Sequence, residues 1–398
     1  MPDTYQSAAK QGFEKLVSQY KTAKIFEPLN IWFGGNTLHT CLDYLIWTPN
    51  SDEKKDKSRI VEYAFNAVFK KMNAFPPGAR FDCAYLSRSG WWRDDFGWWG
   101  IALLMAVNNR VSLGYGDKQN DAMFQEILAA AQCCWVQLLG NWRDLPYNDD
   151  DVDQAAGSSD IKGGAFNILT GDLMGGRNSV TNELFWILSQ RLAQHFPNDP
   201  LYSAQAAKYA NWFGRWFDTG QILTSQNLIL ERPTGNGLAS KWYWSGDQGL
   251  MIEALPADDP RRDKIAQAAQ ETLAEKGVLH ENVKDLTGSL AGFMADYATG
   301  KGIFMRNLAR FANVNKNGDY IKFITDNAST VWSHRDKTNQ FPFNWDLSEP
   351  KHEENILRMK TEDDRQNKPD DLCDLIMQSA GQDALNAAML IAPDEPIA

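Results

Sequence analysis

The sequence predicts an all-α fold, either an (α/α)6 barrel of six helical hairpins in two concentric rings or an irregular helical bundle. Three observations carry this. Apolar residues recur at i, i+3, i+4 and i+7 along much of the chain, as one face of a helix requires. Stop signals punctuate these runs, as in Asn73-Ala74-Phe75-Pro76-Pro77-Gly78 and Phe196-Pro197-Asn198-Asp199-Pro200. Period-2 alternation is scarce, and the segment 221–231 is a short hairpin-like candidate.

In chain order the expected helices are 5–20, 36–47, 58–74, 95–109, 119–139, 178–195 and 201–218. They continue with 247–255, 260–276, 285–298, 301–314, 317–332 and 376–391. The run 58–74 illustrates the pattern: Ile60, Ala64 and Val68 are spaced by four, and Phe65 and Phe69 flank the same stripe. Long loops are expected at 75–93, 140–177 and 221–246, each bordering a candidate motif, and loops of that length in a compact domain are usually functional. No internal repeat, linker-like tract or low-complexity block divides the chain, so a single domain over 1–398 is expected.

A net charge of −11 excludes a nucleic-acid partner, which needs a basic surface. Fifteen Trp, eleven of them clustered at 91, 92, 98, 99, 135, 142, 186, 212, 216, 242 and 244, fit either a carbohydrate cleft or a large aromatic core. Five Cys, an odd number, give no disulfide framework, and Cys133-Cys134 read as small buried thiols. No CxxC pair or HExxH is present, so no metal site is expected, and His39 on an apolar helix reads as a hydrogen-bonded core residue. The N-terminus lacks a basic and then apolar leader, and no run of 18 apolar residues occurs. The expectation is a monomer with no membrane partner, cytoplasmic as read, or secreted if the sequence is a trimmed mature form.

The segment Trp91-Trp92-Arg93-Asp94-Asp95-Phe96-Gly97-Trp98-Trp99-Gly100 carries the chemistry. Glycosidic bond cleavage usually takes two carboxyl groups, and indoles offer flat apolar faces to sugar rings. Neighbouring residues on a helix project about 100° apart, so Asp94 and Asp95 can diverge and still reach one substrate. Trp98 shares their face, whereas Trp99 is turned away and fits a core equally well. The plainer reading of the pair is a helix cap, since Asp at a helix start satisfies free N–H groups and suits the dipole.

Four further segments place amides or charges near helix starts beside glycine. They are Gly163-Gly164-Ala165-Phe166-Asn167 with Arg177-Asn178 to Asn182, Trp242-Tyr243-Trp244-Ser245-Gly246-Asp247-Gln248-Gly249, Lys301-Gly302-Ile303-Phe304-Met305-Arg306-Asn307, and Gln378 to Asn386. With these the chain resembles glycoside hydrolase family 76, the endo-α-1,6-mannanases. The family's tandem Asp followed by Trp-Trp matches Asp94-Asp95 and Trp98-Trp99. Its Gly-Gly turn and following helix resemble Gly163-Gly164 and Arg177-Asn178 to Asn182, its Gln-Gly helix start resembles Gln248-Gly249, and its Lys-Gly-Ile-Phe-x-Arg motif resembles Lys301 to Arg306. Trp32, Asn36, Leu38 and Asp43-Tyr44 fit its first hairpin.

The resemblance implies an (α/α)6 barrel and a retaining, cofactor-free glycosidase with Asp94 as nucleophile and Asp95 as acid/base. It favours a carbohydrate partner whose subsites involve Trp98, Trp99, Asn178, Asn182, Trp242, Trp244, Asp247, Gln248, Lys301 and Arg306. Departures at Arg177, Phe166 and Gly246-Asp247 bear on which sugar is bound, and Arg306 and Asn307 read equally as structural partners. Three other readings stand beside this one. They are a transglycosylase, a glycan-binding protein on the same scaffold, and a magnesium-dependent terpene synthase-like enzyme using Asp149, Asp150 and Asp153, a run that also reads as a solvated loop or a weak calcium site.

Overall fold

A computed structural model describes residues 3–27, 30–49, 54, 57–70, 83–86, 90–116, 122–148, 158–167, 169–170, 173–174, 176–220, 222–232, 243–281, 294–346 and 370–397. The helices are α1 (Tyr5–Gln19), α2 (Ile31–Trp47), α3 (Arg59–Phe65, continued by a π-helical turn at Asn66–Lys70), α4 (Cys83–Leu86), α5 (Arg93–Asn108), α6 (Ala122–Leu139) and α7 (Ser179–His195). They continue as α8 (Pro200–Thr219), α9 (Ser245–Ala254), α10 (Arg261–Thr272), α11 (Met294–Asn315), α12 (Gly318–Ser333) and α13 (Asp370–Ile391). Among the described residues the strands form three short antiparallel pairs: Pro146–Asn148 with Ser158–Lys162, Leu169–Thr170 with Leu173–Met174, and Ala274–Glu275 with Val278–Leu279.

Local chemistry explains the helix ends. Asp199 caps α8 by accepting from the Leu201 N–H at 3.0 Å, Pro200 follows with its φ preset, and Gly220 ends the helix at φ 68°. Asn317 caps α12 by accepting from the Asp319 N–H at 2.9 Å. The helix α6 is long and apolar enough to cross a membrane by length and composition alone. Here it packs Phe124, Ile127, Ala131, Trp135 and Leu138 into the core.

The chain divides into two compact units. The central unit is 26–46 with 50–243, and the terminal unit is 1–25, 47–49 and 244–398. In the central unit, glycines let helices touch. A Cβ added at Gly97 would lie 2.6 Å from the Leu184 Cβ, and one at Gly100 would lie 2.5 Å from the Leu188 side chain. Both contact positions advance in the same sense, so α5 and α7 run parallel with their N-termini side by side. A Cβ at Gly35 of α2 would lie 2.9 Å from the Trp99 backbone nitrogen, which brings the early turns of α2 and α5 together. The helix α6 packs on α5, and α8 on α7.

The terminal unit repeats the device. Gly249 of α9 meets the Phe304 backbone of α11, Gly302 of α11 meets Ala380 of α13, and α1 packs on α13 through Gln382 donating to the Ala9 carbonyl at 2.9 Å.

Several expectations need correction. The helix α2 starts at Ile31 rather than 36, with Gly35 a contact surface inside it. The runs expected at 285–298 and 301–314 meet in one helix, α11, across Gly300. Residues 285–293 lie outside the described part. Gly300 sits inside the helix because a Cβ there would strike the Ser245 hydroxyl and neighbouring side chains. The 140–177 loop contains short strand pairs. Cys83 and Cys133 form a disulfide with Cα atoms 5.1 Å apart, against the expectation of no disulfide, while Cys134 is a buried free thiol as expected. The hairpin-like segment is present as an antiparallel bridge between Leu223 and Ile229.

Candidate active site

The tandem carboxylates occupy the first turn of α5. Trp92 is the N-cap with extended backbone (φ −69°, ψ 161°), Asp94 is the second helical residue and Asp95 the third. The Trp92 N–H donates to Asp95 Oδ2 at 2.8 Å, the return half of a capping box. Asp95 is buried and Asp94 half-buried, whereas the Trp92 indole is 42% exposed, among the most open large apolar side chains in the described chain. Arg93 extends over the Phe96 ring at 5.4 Å and toward Gln137 Oε1 at 3.5 Å. Burial holds its guanidinium below the usual arginine range, and the Asp95 charge opposes that shift.

A rigid turn is tied to this helix start. The Arg93 N–H donates to the Asn167 carbonyl at 2.7 Å, and the Asn167 N–H donates to the Gly176 carbonyl at 3.0 Å. Gly163 and Gly164 adopt φ of 106° and 97°, which side chains rarely adopt, while the Trp142 and Trp212 rings press on the space where Cβ atoms would sit. Arg177 donates to the Gly163 carbonyl at 2.9 Å and the Leu145 carbonyl at 3.1 Å, with its plane 4.5 Å from the Phe166 centroid. Asn182 accepts from the Ala165 N–H at 2.7 Å and donates to the Ala165 and Asn178 carbonyls at 3.1 and 2.8 Å. Three of its hydrogen bonds therefore go to backbone, and Asn182 is a brace of the turn.

Asn178, the N-cap of α7, uses its side chain differently. It makes no cap hydrogen bond, and its buried Oδ1 has no hydrogen-bond partner among the described residues. The same is true of Asn167 Oδ1, and of Thr181 Oγ1 in the first turn of α7. Sequence reasoning passed over Asn167, Thr181 and Trp92 as site residues. The first lies in a long loop, the second resembles any helix-start threonine, and Trp92 was placed ahead of the expected helix start at 95.

Trp98 and Trp99 are both buried. Trp98 lies against Trp32 with centroids 5.6 Å apart. Trp99 donates to the Ile31 carbonyl at 2.6 Å and meets Phe69 edge-on at 5.3 Å, which makes it a core anchor. Trp242 and the Asp149–Asp153 run lie outside the described residues.

The other sequence-derived candidates belong to the terminal unit and are buried there. Trp244, 8% exposed, lies over Gly246, where a Cβ would sit 2.6 Å from the ring. Asp247 and Gln248 are fully buried, with Gln248 donating to the Trp244 carbonyl at 3.2 Å. Arg306 donates to Asp383 Oδ2 at 3.3 Å in an ion pair sealed from solvent, which makes it a structural partner of α13. Lys301 donates to the Phe343 carbonyl and sits 5.0 and 4.9 Å from the Phe343 and Trp345 centroids. Glu281, missed in the sequence, accepts from the Ser245 hydroxyl and from its N–H at 3.3 Å. Burial pushes the Glu281 carboxyl up to about 8, opposed by the Ser245 hydrogen bonds and by Lys301, and pushes the Lys301 ammonium down to about 8, opposed by Glu281.

No family model matches the chain, and no curated protein matches it. Solved structures do. The Lin0763 protein from Listeria innocua aligns over 99% of both chains at 15% identity and TM-score 0.64. An inactive variant of an α-1,6-mannanase of glycoside hydrolase family 76 from Salegentibacter sp. HEL1_6, with two consecutive Asp changed to Asn, was solved with α-1,6-mannotriose. It aligns over 97% of this chain and 99% of its own at 16% identity and TM-score 0.62. Dfg5 from Chaetomium thermophilum, in complex with glucosamine, covers 92% of this chain and 82% of its own at 17% identity and TM-score 0.58. In fold, nearly the whole chain resembles the (α/α)6 barrels of glycoside hydrolase family 76.

Proposed function

We propose that the protein is a retaining glycoside hydrolase of α-linked, α-1,6-mannan-like oligo- or polysaccharides, with Asp94 as nucleophile and Asp95 as acid/base. The observation that carries this reading is the carboxylate pair at the start of α5, with Asp95 anchored by the Trp92 N–H beside an exposed indole. Support comes from the shared fold of an α-1,6-mannanase whose double Asp-to-Asn variant is inactive.

Asp95, with Oδ2 held by the Trp92 N–H, is the group that carries the proton to the glycosidic oxygen. The departing sugar leaves with that proton while the Asp94 carboxylate attacks the anomeric carbon, forming a glycosyl ester. Asp95, now ionised, takes a proton from water, which attacks the same carbon and releases Asp94, giving net retention. The N-terminal dipole of α5 favours the ionised partner at each stage. This scheme calls for carboxyl groups about 5–5.5 Å apart and for no cofactor. The Trp92 face serves as the stacking platform, and Asn178 as a hydroxyl contact.

The likeness to Dfg5, solved with an amino sugar, motivates a second reading in which a sugar hydroxyl takes the place of water. One experiment addresses both. The protein is incubated with α-1,6-mannotriose and other α-linked oligosaccharides, with and without a glucosamine acceptor, and products are followed by mass and time-resolved NMR. The expected result is an α-configured first product that Asp94→Asn and Asp95→Asn abolish. Lengthened products would favour transfer, and an inverted first anomer or no turnover on any α-glycan would overturn the reading.

A further inference from the structure

Two carboxamide oxygens on segments packed at the start of α5 lack donors among the described residues. Asn167 and Asn178 are each 5% exposed, and Oδ1 of each is without a hydrogen-bond partner among the described residues. Leaving a buried acceptor unmet is costly, so such atoms call for an explanation. Both residues are fixed by backbone bonds. Asn167 is held at its carbonyl by Arg93 and at its N–H by Gly176, and the Asn178 carbonyl is held by Asn182. Neither side chain owes its place to its own carboxamide oxygen.

Their placement is local to the acids. The Asn167 carbonyl accepts from the residue immediately before Asp94. Asn178 begins α7, whose N-terminus lies beside that of α5 through the parallel Gly97–Leu184 and Gly100–Leu188 contacts. Stepping back one turn from Gly97 and Leu184 brings Asp94 level with Thr181, whose buried Oγ1 also lacks a partner. Buried acceptor oxygens at the turn and the helix start next to the acids match a ring bearing several hydroxyl donors. They do not suit an apolar ligand or an anion, neither of which brings a donor.

We propose that Asn167 and Asn178 form a specificity-determining pair whose carboxamide oxygens accept hydrogen bonds from hydroxyls of the sugar ring held against Asp94, with Asn167 as the residue that selects among sugars. The proposal rests on the glycosidase reading and deepens it. A site built to meet a hydroxyl discriminates sharply against an analogue lacking it, because its own polar atom is then left buried and unmet.

The test compares wild type, Asn167→Leu and Asn167→Asp on α-1,6-mannotriose and on analogues lacking one ring hydroxyl at a time. Leucine keeps the size and removes the acceptor, whereas aspartate keeps an acceptor. Circular dichroism confirms that each variant is folded, and Asn178→Leu serves where Asn167→Leu is not. The expected loss for Asn167→Leu is about 10- to 100-fold in kcat/KM, with Asp retaining more activity. One deoxy analogue should lose a similar factor with wild type and nothing further with Asn167→Leu. Wild-type turnover combined with unchanged kcat/KM and unchanged deoxy discrimination in both Leu variants would overturn this proposal and leave the glycosidase reading standing. If no α-glycan is turned over, calorimetry with mannose and its deoxy forms decides the pair. Binding that one deoxy form and Asn167→Leu both abolish supports it, and absence of any sugar binding overturns it.

Discussion

The Trp92 N–H donates to Asp95 Oδ2 at 2.8 Å, so one carboxylate both caps the helix and is the candidate proton donor. The two roles separate by substitution. Asn at 95 retains an acceptor for the Trp92 N–H, while Ala does not. Asp95→Ala should cost about 1 kcal/mol of stability in urea unfolding and Asp95→Asn almost nothing. Both should lower turnover by about 10²- to 10⁴-fold. Equal stability for the two variants would show that the cap is not formed.

The tryptophans should divide by position. Trp92→Ala removes an exposed indole and should weaken substrate affinity with little change in melting temperature. Trp99→Ala removes a fully buried indole and its bond to Ile31, and should cost about 3–5 kcal/mol. Calorimetric affinity and denaturant midpoints measured on both variants check the division.

Cys83 and Cys133 are 50 residues apart, and closing a loop of that size stabilises by about 2–4 kcal/mol. Gln137, one turn beyond Cys133, donates to the Cys83 carbonyl at 3.2 Å and also meets Arg93. Cys83→Ala should therefore lower the melting temperature and loosen Arg93. Dithiothreitol should reproduce the loss in wild type and add nothing in the variant.

The Glu281–Lys301 pair predicts a pH profile. Glu281 binds its proton up to about pH 8 when folded, whereas an ordinary carboxyl has lost it by then, so stability falls as pH rises toward 8. Lys301 loses its proton near 8 when folded, so above 8 the unfolded chain binds more protons and stability rises again until the ordinary lysine range. Glu281→Gln should flatten the lower limb, and Lys301→Met the upper one, in denaturant titrations from pH 5 to 10. A slope unchanged in either variant would place the titration elsewhere.

Arg306 and Asp383 form an ion pair with 1% and 0% side-chain exposure. Arg306→Ala should cost about 3–5 kcal/mol, because it strands a buried carboxylate. Replacing both with apolar residues of similar size should recover much of that loss, as guanidinium unfolding of the three variants would show.

Helical periodicity made the architecture legible. Most helix ends expected from the sequence lie within a few residues of those found, because caps such as Asp199 and stops such as Gly220 act on their own neighbours. The tandem acids at a helix start were legible for the same reason. What failed depended on partners far along the chain. Gly35 and Gly300 fell outside the expected spans 36–47 and 301–314 but sit inside helices, since their missing side chains make room for Trp98–Trp99 and for Ser245. The disulfide between Cys83 and Cys133 had no spacing signal.

The site itself divides along the same line. The sequence determined that two carboxylates and a set of indoles, amides and basic residues would be available near helix starts, because that is a matter of composition and local periodicity. Only the tertiary structure decided how each is used. Asn182, Arg306 and Lys301 went to carbonyls, a carboxylate and aromatic rings inside their own units, Trp99 went to the core, and Trp92 stayed open beside the acids. The physical reason is that a buried polar group must meet a partner or cost free energy, and which partner it meets is set by packing between segments distant in sequence.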